Sequence, residues 1–304
     1  MNDKKSICLV HADIDGAASY CILCWYKHKR VPVKALSQSD FISFWKNSIL
    51  KNIELFEKIY VFDLNVGNHY ELFDFSNVTL VDHHQESIDN KHNYKRARVY
   101  FEDSQSTAML LYKSLKTIEQ KEFLSTEQKL LLLAASDYDS YTFQIPFSRN
   151  LNYLFWSYQG DRVAKFYDEF NSGYKGFNSF QKNIITFYKK RLNETIRDLQ
   201  VYYGEYNVGG KTYKIFSTFA DFGINDIADY IISDYKADIC IVVNLKTNRV
   251  SYRKSRACTV KLNQLASILS DGGGHEDAAG GILNDTFINF SKSLKLYEFP
   301  QHTS

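Results

Sequence analysis

VTLVDHHQ (78–85) decides how the rest of the chain is read. Its first half is a run of strand-forming residues, apolar but for Thr79, and its second half sets an aspartate and two histidines directly behind that run. Three apolar residues and a β-branched threonine bounded by polar groups fit a strand buried on both faces of a parallel sheet. The same arrangement occurs twice upstream. ICLV (7–10) runs into His11, Asp13 and Asp15, and IYVF (59–62) runs into Asp63. Between these runs lie VPVKAL (31–36), which alternates like a strand, and helix-like patterns over 16–28 and 41–50. Strands interleaved with helices indicate βαβ units around a parallel sheet. In such open sheets, ligands sit in the crevice beyond the carboxyl ends of the strands. The acidic and imidazole groups behind the three runs are therefore expected to converge.

Clustered carboxylates repel and raise one another's pKa values, so a set this dense needs cations. Mixed carboxylate and imidazole donors without thiolates favour Mn²⁺, Mg²⁺, Zn²⁺ or Fe²⁺ over a structural Cys-rich zinc site. The donors exceed the needs of one ion. Two metals about 3.5–4 Å apart would use them all, activating a water and stabilising the oxygens of an in-line displacement at phosphorus. Asp63, central in the inferred strand order, is the natural bridge. A single aspartate behind a strand is usually a turn former or helix N-cap, and Asp15 before Gly16 fits that description. Three strand ends at once, the third carrying Asp-His-His, outweigh it. A fourth acidic element, Asp137 and Asp139 in SDYDSYTF, follows the helical run LLLLAAS, and one of the two is expected to close the shell. Asp74, Asp89, His69 and His92 lack such a context and read as surface residues.

Further along, Ser104 or Ser106 is placed to cap a helix through Leu115, and Ser125 to Gln128 has capping-box spacing. Residues 151–203 are rich in Tyr and Phe, and 177–200 reads as one long helix. Composition shifts near residue 205. YKIFST, ICIVVNL and RVSYRK read as strands, with helices over INDIADYIIS and Leu262–Leu269 and a last strand near Gly281–Leu283. The expected division is a catalytic domain over 1–180, a helical connector over 181–205 and a smaller α/β substrate-binding domain over 206–304. In DGGGHEDAAGG (271–281), Gly272, Gly273 and Gly274 permit close backbone approach. Their amides are expected to form an anion nest beside a helix start, with His275 and Arg253 donating to phosphate or base.

The chain has 304 residues, 37 Lys+Arg against 35 Asp+Glu, and a formal charge of +2. That balance argues against a general nucleic-acid coat, which needs many phosphate-neutralising cations. No apolar stretch is long enough to span a bilayer, no secretory signal is read, and the five scattered cysteines fit a reducing compartment. A cytoplasmic protein without membrane association, monomer or homodimer, is expected. Cys21 and Cys24 lie in an apolar helix and read as core. The aromatics of 141–203 read as packing, and Lys189-Lys190-Arg191 as a solvated helix face.

These residues resemble the DHH phosphoesterases that carry the DHH-associated C-terminal domain. HADIDG (11–16) is similar to the first family motif, FDLN (62–65) to the second, VDHHQ (81–85) to the third and SDYDS (136–140) to the fourth. VSYRKS (250–255) and DGGGHEDAAGG are similar to the signatures of the associated domain. The resemblance covers residues 6–290, apart from the helical middle. It implies a parallel-sheet catalytic domain joined by a long helix to the smaller domain, with the active site in the interdomain cleft. It further implies two divalent ions, usually Mn²⁺ with Mg²⁺ as the other candidate. The implied ligands are His11, Asp13, Asp15, Asp63, Asp82, His83 and Asp137, with Asp139 the alternative to Asp137. His84 would lie beside the scissile phosphate, making Asp82, His83 and His84 the catalytic set. Arg253, Gly272, Gly273, Gly274 and His275 would grip the substrate. The activity implied is hydrolysis of short RNA or DNA oligonucleotides to mononucleotides, with adenosine 3′,5′-bisphosphate as a further substrate. A RecJ-like single-strand DNA exonuclease, a cyclic-dinucleotide phosphodiesterase and an inactive nucleotide-binding regulator are the alternatives.

Overall fold

Each of the three apolar runs is a strand, and the three are hydrogen-bonded neighbours. In the computed structural model, which describes residues 5–208, 210–274 and 276–297, the chain opens with β1 (Lys5–His11), α1 (Ile14–Lys27), β2 (Val33–Leu36) and α2 (Gln38–Phe44). A π-helical turn (Trp45–Ile49) and a 3₁₀ segment (Leu50–Leu55) extend α2 towards β3 (Phe56–Phe62). Then come β4 (Val78–Asp82), α3 (Gln85–Asp89) and β5 (Arg98–Phe101). The sheet order is β2-β1-β3-β4-β5 and every pairing is parallel. The chain leaves β1 for β2 on one side and returns to β3 on the other. That reversal opens a crevice at the carboxyl ends of β1 and β3, where ligands bind in sheets of this order.

Alternation along the strands divides their side chains between two cores. Leu9, Ile59, Val61 and Leu80 face a cluster with Phe41, Trp45, Ile49 and Phe73. There the Trp45 ring stacks on Phe73 at 4.2 Å, and its Nε1 donates to the Leu72 carbonyl. Burying each such side chain contributes about 1.5–3 kcal/mol. On the other face α1 packs against β1 and β3, and α4 (Thr107–Glu119) against β4 and β5. Helices α5 (Thr126–Asp139), α6 (Ser148–Ser157) and α7 (Arg162–Phe170) complete that layer. Surrounded in this way, α1 is buried from Ile14 to Trp25. Cys21 and Cys24 are core residues of α1, and burial pushes both thiols up.

Local signals placed the helix starts well. Ser106 Oγ accepts from Met109 N at the start of α4, and the Ser125/Gln128 capping box opens α5. Asp74, read as a surface residue, instead holds the entry to β5. Its Oδ1 accepts the amides of Lys95, Arg96 and Ala97. In the helical middle many rings pair with one another, as in Phe147 on Tyr174 at 4.0 Å and Tyr153 on Tyr188 at 4.4 Å.

The chain divides into two units, Met1–Tyr188 and Lys189–Ser304, and α8 (Ser179–Arg197) runs through the division. The second unit comprises β6 (Val201–Val208), β7 (Lys211–Phe219), α9 (Ile224–Asp234), β8 (Ile239–Asn244), β9 (Arg249–Lys254) and α10 (Leu262–Ser270). It closes with β10 (Gly273–Gly274), β11 (Ala278–Ile282), α11 (Asp285–Ser291) and β12 (Lys295–Leu296). Its order is β10-β11-β9-β8-β7-β6-β12, antiparallel except for β7 and β8, which α9 connects. Because β6 pairs with β7 from Val201 onwards, the expected boundary at 205/206 falls inside a strand. Gly204 and Glu205 had obscured the alternation of that strand. No helix among the described residues is long and apolar enough to cross a membrane.

Gly16 shows how tightly β1 and α1 are joined. A Cβ at this position would lie 2.1 Å from the His11 carbonyl oxygen, so backbone would have to move. Gly16→Ala is expected to lower stability in urea denaturation by about 2 kcal/mol, the scale of core overpacking. It is also expected to weaken divalent-cation binding, because the displaced residues include His11 and Asp13.

Candidate metal centre

His11 ends β1, Asp63 follows β3 and Asp82 ends β4. The groups behind β1 serve two helices. Asp13 is the N-cap of α1, its Oδ1 accepting from Gly16 N at 2.9 Å. Asp15, within the first turn of α1, is the anchor of a different helix: its two oxygens accept the amides of Thr107 (2.7 Å) and Ala108 (2.9 Å) at the start of α4. The positive end of a helix favours a carboxylate there. Thr107 Oγ1 also donates to Asp63 Oδ1 at 3.1 Å. Asp63 has φ +59°, a left-handed conformation that costs a non-glycine residue about 1–2 kcal/mol. Its amide stays tied to the Val81 carbonyl of β4.

Three overlapping groups of donors result: His11, Asp13 and Asp63; Asp63, His83 and His84; Asp15, His83 and Asp139. Within each, the donor atoms all lie within 4.8 Å of one another. Asp63 belongs to two groups and so does His83. His11 Nδ1 is 2.5 Å from Asp13 Oδ2 and 3.4 Å from Asp63 Oδ2. His83 Nε2 is 3.6 Å from Asp63 Oδ1 and 3.7 Å from Asp139 Oδ2.

Two expected ligands fall outside these groups. Asp82 is engaged by protein donors: Oδ1 accepts from the His83 amide (2.9 Å) and pairs with His84 Nδ1 (2.6 Å), while Oδ2 accepts from Ser87 Oγ (2.5 Å). It orients His84. Asp137, preferred over Asp139 from the sequence, is held instead by the loop that follows it. Its Oδ1 accepts from Thr142 Oγ1 (2.6 Å) and Gln144 N (2.7 Å), and its Oδ2 from Ile145 N (3.0 Å). Helix residues two apart point about 200° from one another, so only one of the pair can face the cluster, and that one is Asp139. Thr107 and Ser87 were missed. Each lies beside a flagged feature, Thr107 next to the Ser106 cap and Ser87 five residues after Asp82, but only the tertiary fold aims them.

The electrostatics record the crowding. Burial raises the Asp15 carboxyl, with Asp63 and Asp13 adding to it, to about 7. Burial together with Asp15 and Asp63 pushes Asp139 well up. Burial opposes charge on His11 too, yet Asp13 and Asp63 hold its pKa well above the ordinary imidazole value. The same imidazole takes Asp13 down to about 2 against its own burial. For His84, burial is overridden by the Asp82 carboxylate, which raises it to about 9.

The donor set fits divalent cations. It consists of carboxylate oxygens and imidazole nitrogens without thiolates, suited to Mn²⁺, Mg²⁺ or Zn²⁺. His11 Nδ1 is buried and makes no aligned hydrogen bond. His83 Nδ1 lies 3.1 Å from the Ser104 carbonyl, the backbone contact that fixes a ligating imidazole and turns its Nε2 towards an ion.

In the second unit, Arg253 on β9 donates through Nη2 to Asn225 Oδ1 (2.7 Å) and through Nη1 to the Tyr252 carbonyl (2.7 Å). The anion-nest reading of the glycines is revised. They follow the carboxyl end of α10 and lead into the β10–β11 pairing, and the next helix begins only at Asp285. A Cβ on Gly272 would lie 2.0 Å from the Gly280 carbonyl oxygen, so that glycine serves packing, whereas Gly273 has open space around its Cβ position. Gly274 pairs with Ala279. His275 lies outside the described residues.

The sheet order, the donor-bearing strand ends and the second sheet agree on one architecture: the chain has the fold of the DHH phosphoesterases. It is similar to the pGpG-specific phosphodiesterase PggH of Vibrio cholerae, with TM-score 0.58 and 13% identity over 95% of this chain and 96% of that one. It is similar to the Mn²⁺-bound RecJ of Thermus thermophilus (TM-score 0.53, 14% identity, 95% of this chain and 51% of that one). An exopolyphosphatase-related protein from Bacteroides fragilis gives TM-score 0.50 and 14% identity over 95% and 91% of the two chains. No protein-family model and no curated protein matches the sequence.

The geometry separates the two aspartates at the end of α5. Asp139→Asn is expected to weaken Mn²⁺ binding at least about tenfold, the scale reached even by groups that only support ligands. Asp137→Asn is expected to retain Mn²⁺ stoichiometry in calorimetry while losing about 1–2 kcal/mol of stability with its loop bonds. A second prediction concerns pH. Asp15 takes up a proton at a higher pH in the folded than in the unfolded chain, so the metal-free protein should lose stability as pH rises from about 4 through 7. His84, raised to about 9, continues that loss above its unfolded value near 6.5. Mn²⁺ competes with these protons. Its affinity should therefore rise with pH through 7, with proton release measurable by calorimetry in buffers of different ionisation enthalpy.

Proposed function

We propose that the chain is a phosphodiesterase acting on short nucleotide substrates through a pair of divalent cations held by His11, Asp13, Asp15, Asp63, His83 and Asp139. The observation that carries this reading is the convergence of these donors on the β1/β3 switch point of a DHH phosphoesterase fold. When bound, the cations would supply Lewis-acid neutralisation of phosphate oxygens and orientation of the reacting groups.

The chain's own residues supply the remainder. Asp82 holds His84 by Nδ1, leaving Nε2 as the ring's other donor. Before any cation binds, the Asp82 carboxylate raises the pKa of His84 to about 9, and His84 is the group proposed to donate a proton to a phosphate or leaving-group oxygen. Ser87 fixes the far oxygen of Asp82, and Thr107 fixes Asp63. Arg253 and Gly273 are the proposed substrate contacts of the second unit. The formal charge of +2 supports short substrates, since long strands call for an extended positive track.

The test is a Mn²⁺-dependent turnover panel of dinucleotides, five-mers, long single strands, adenosine 3′,5′-bisphosphate and cyclic dinucleotides. The expected result is highest kcat/KM on the dinucleotides and loss of turnover with chelator. Asp63→Asn should abolish activity, and His84→Ala should lower kcat by about 10²-fold or more. Undiminished turnover in both folded variants would falsify the assignment. Preference for long strands with a steep salt dependence would move it to an exonuclease.

A further inference from the structure

An aromatic cluster begins where the metal centre ends. Helix α5 delivers Asp139 to the donors, and the next residues are Ser140, Tyr141, Thr142 and Phe143. Two residues of chain reach no further than about 7 Å, so the Tyr141 backbone lies within that distance of Asp139. Tyr141 (φ +55°) and Phe143 (φ +50°) both occupy the left-handed region, which bulky residues avoid. The group that holds them there is Asp137. Its carboxylate accepts from Thr142, Gln144 and Ile145, and its carbonyl accepts from Thr142 N and Phe143 N.

The outcome of this strained turn is a ring cluster. Tyr141 and Phe143 meet edge-on at 5.2 Å, and Tyr138 lies beneath both at 6.1 and 5.7 Å. The Arg149 guanidinium stands 3.6 Å over the Phe143 ring. Tyr138 is buried, but Tyr141, Phe143 and Arg149 keep part of their surface open. Core burial therefore does not account for the strain, and backbone strain of this kind gathers at functional sites. Aromatic rings and guanidinium planes are the surfaces on which nucleobases stack.

We propose that Tyr141, Phe143 and Arg149 form a nucleobase platform beside the metal centre, held in shape by Asp137, which selects nucleotides from among phosphodiesters. The proposal rests on the phosphodiesterase reading above. It assigns Asp137 as a positioning residue where the sequence suggested a ligand.

The experiment compares kcat/KM for a dinucleotide with that for its analogue lacking one base, using Mn²⁺-loaded protein. Binding of 2-aminopurine mononucleotide is followed in parallel by fluorescence quenching. The base-bearing substrate should be preferred about tenfold or more, in line with the stacking strength per base. Phe143→Leu and Arg149→Gln should each cut that preference several-fold through KM and weaken 2-aminopurine binding. Arg149→Gln leaves the strained backbone untouched and decides the matter if Phe143→Leu does not fold. Asp137→Asn should reduce the same preference with Mn²⁺ stoichiometry retained. An unchanged preference and unchanged 2-aminopurine affinity in the folded variants would overturn the platform. If the wild type hydrolyses no phosphodiester, the proposed activity fails, and the quenching titration alone still decides whether the platform binds a base.

Discussion

Repulsion among carboxylates at the β1/β3 crevice governs this structure. Two unit charges 4 Å apart interact by about 4 kcal/mol at the effective dielectric of a protein surface, and two pairs, Asp13 with Asp63 and Asp15 with Asp139, each share a donor group within 4.8 Å. The fold offsets part of that cost without metal. The start of α4 gives two amides to Asp15, and His11 pairs with Asp13. What remains is expressed as protons retained by Asp15 and Asp139. A site that keeps protons on acids near neutral pH is one from which divalent cations can displace them, so cation binding and folding are linked at the same atoms.

The crowding also explains the rigidity around it. A ligand set works only if its members are held by other groups. Asn65 Oδ1 accepts from Gly67 N and Ser87 Oγ, Ser87 holds Asp82 and Asp82 holds His84. Through this chain the loop behind β3 and the loop behind β4 fix one imidazole. Thr107 ties Asp63 to the same helix start that caps Asp15. Strain at Asp63 is tolerated because its amide, its side chain and both neighbouring strands are engaged.

Much of this was legible from residue order alone, because a parallel strand buried on both faces announces itself as an apolar run, and the residue behind it lies at the carboxyl edge. His11, Asp13, Asp15, Asp63, His83 and His84 were singled out in that way, and the structure brings them into overlapping donor groups. Asp137 and Asp139 could not be separated, since α5 is buried around most of its last turns and periodicity does not say which side meets the donors. The answer lay in Thr142, Gln144 and Ile145, whose capture of Asp137 is a loop property. The glycine run misled for a similar reason. Gly272 is compelled by the Gly280 backbone across β10 and β11, a contact that exists only once the strands pair. Strand β6 was lost because Gly204 and Glu205 interrupt its alternation.

A cation pair neutralises any phosphate it meets, so chemistry at the strand ends cannot by itself choose among phosphoesters. Discrimination has to come from contacts to the remainder of the substrate, made where the reacting phosphate would be held. In the first unit, the turn behind α5 is suited to that task. It joins a cluster donor to half-open aromatic surface within a few residues, and its shape is imposed by a carboxylate that the cluster does not use. The two aspartates of SDYDS thus divide the work, Asp139 facing the donors and Asp137 shaping the surface beside them. Their alternation, which made the sequence ambiguous, follows from placing both functions at the end of one helix.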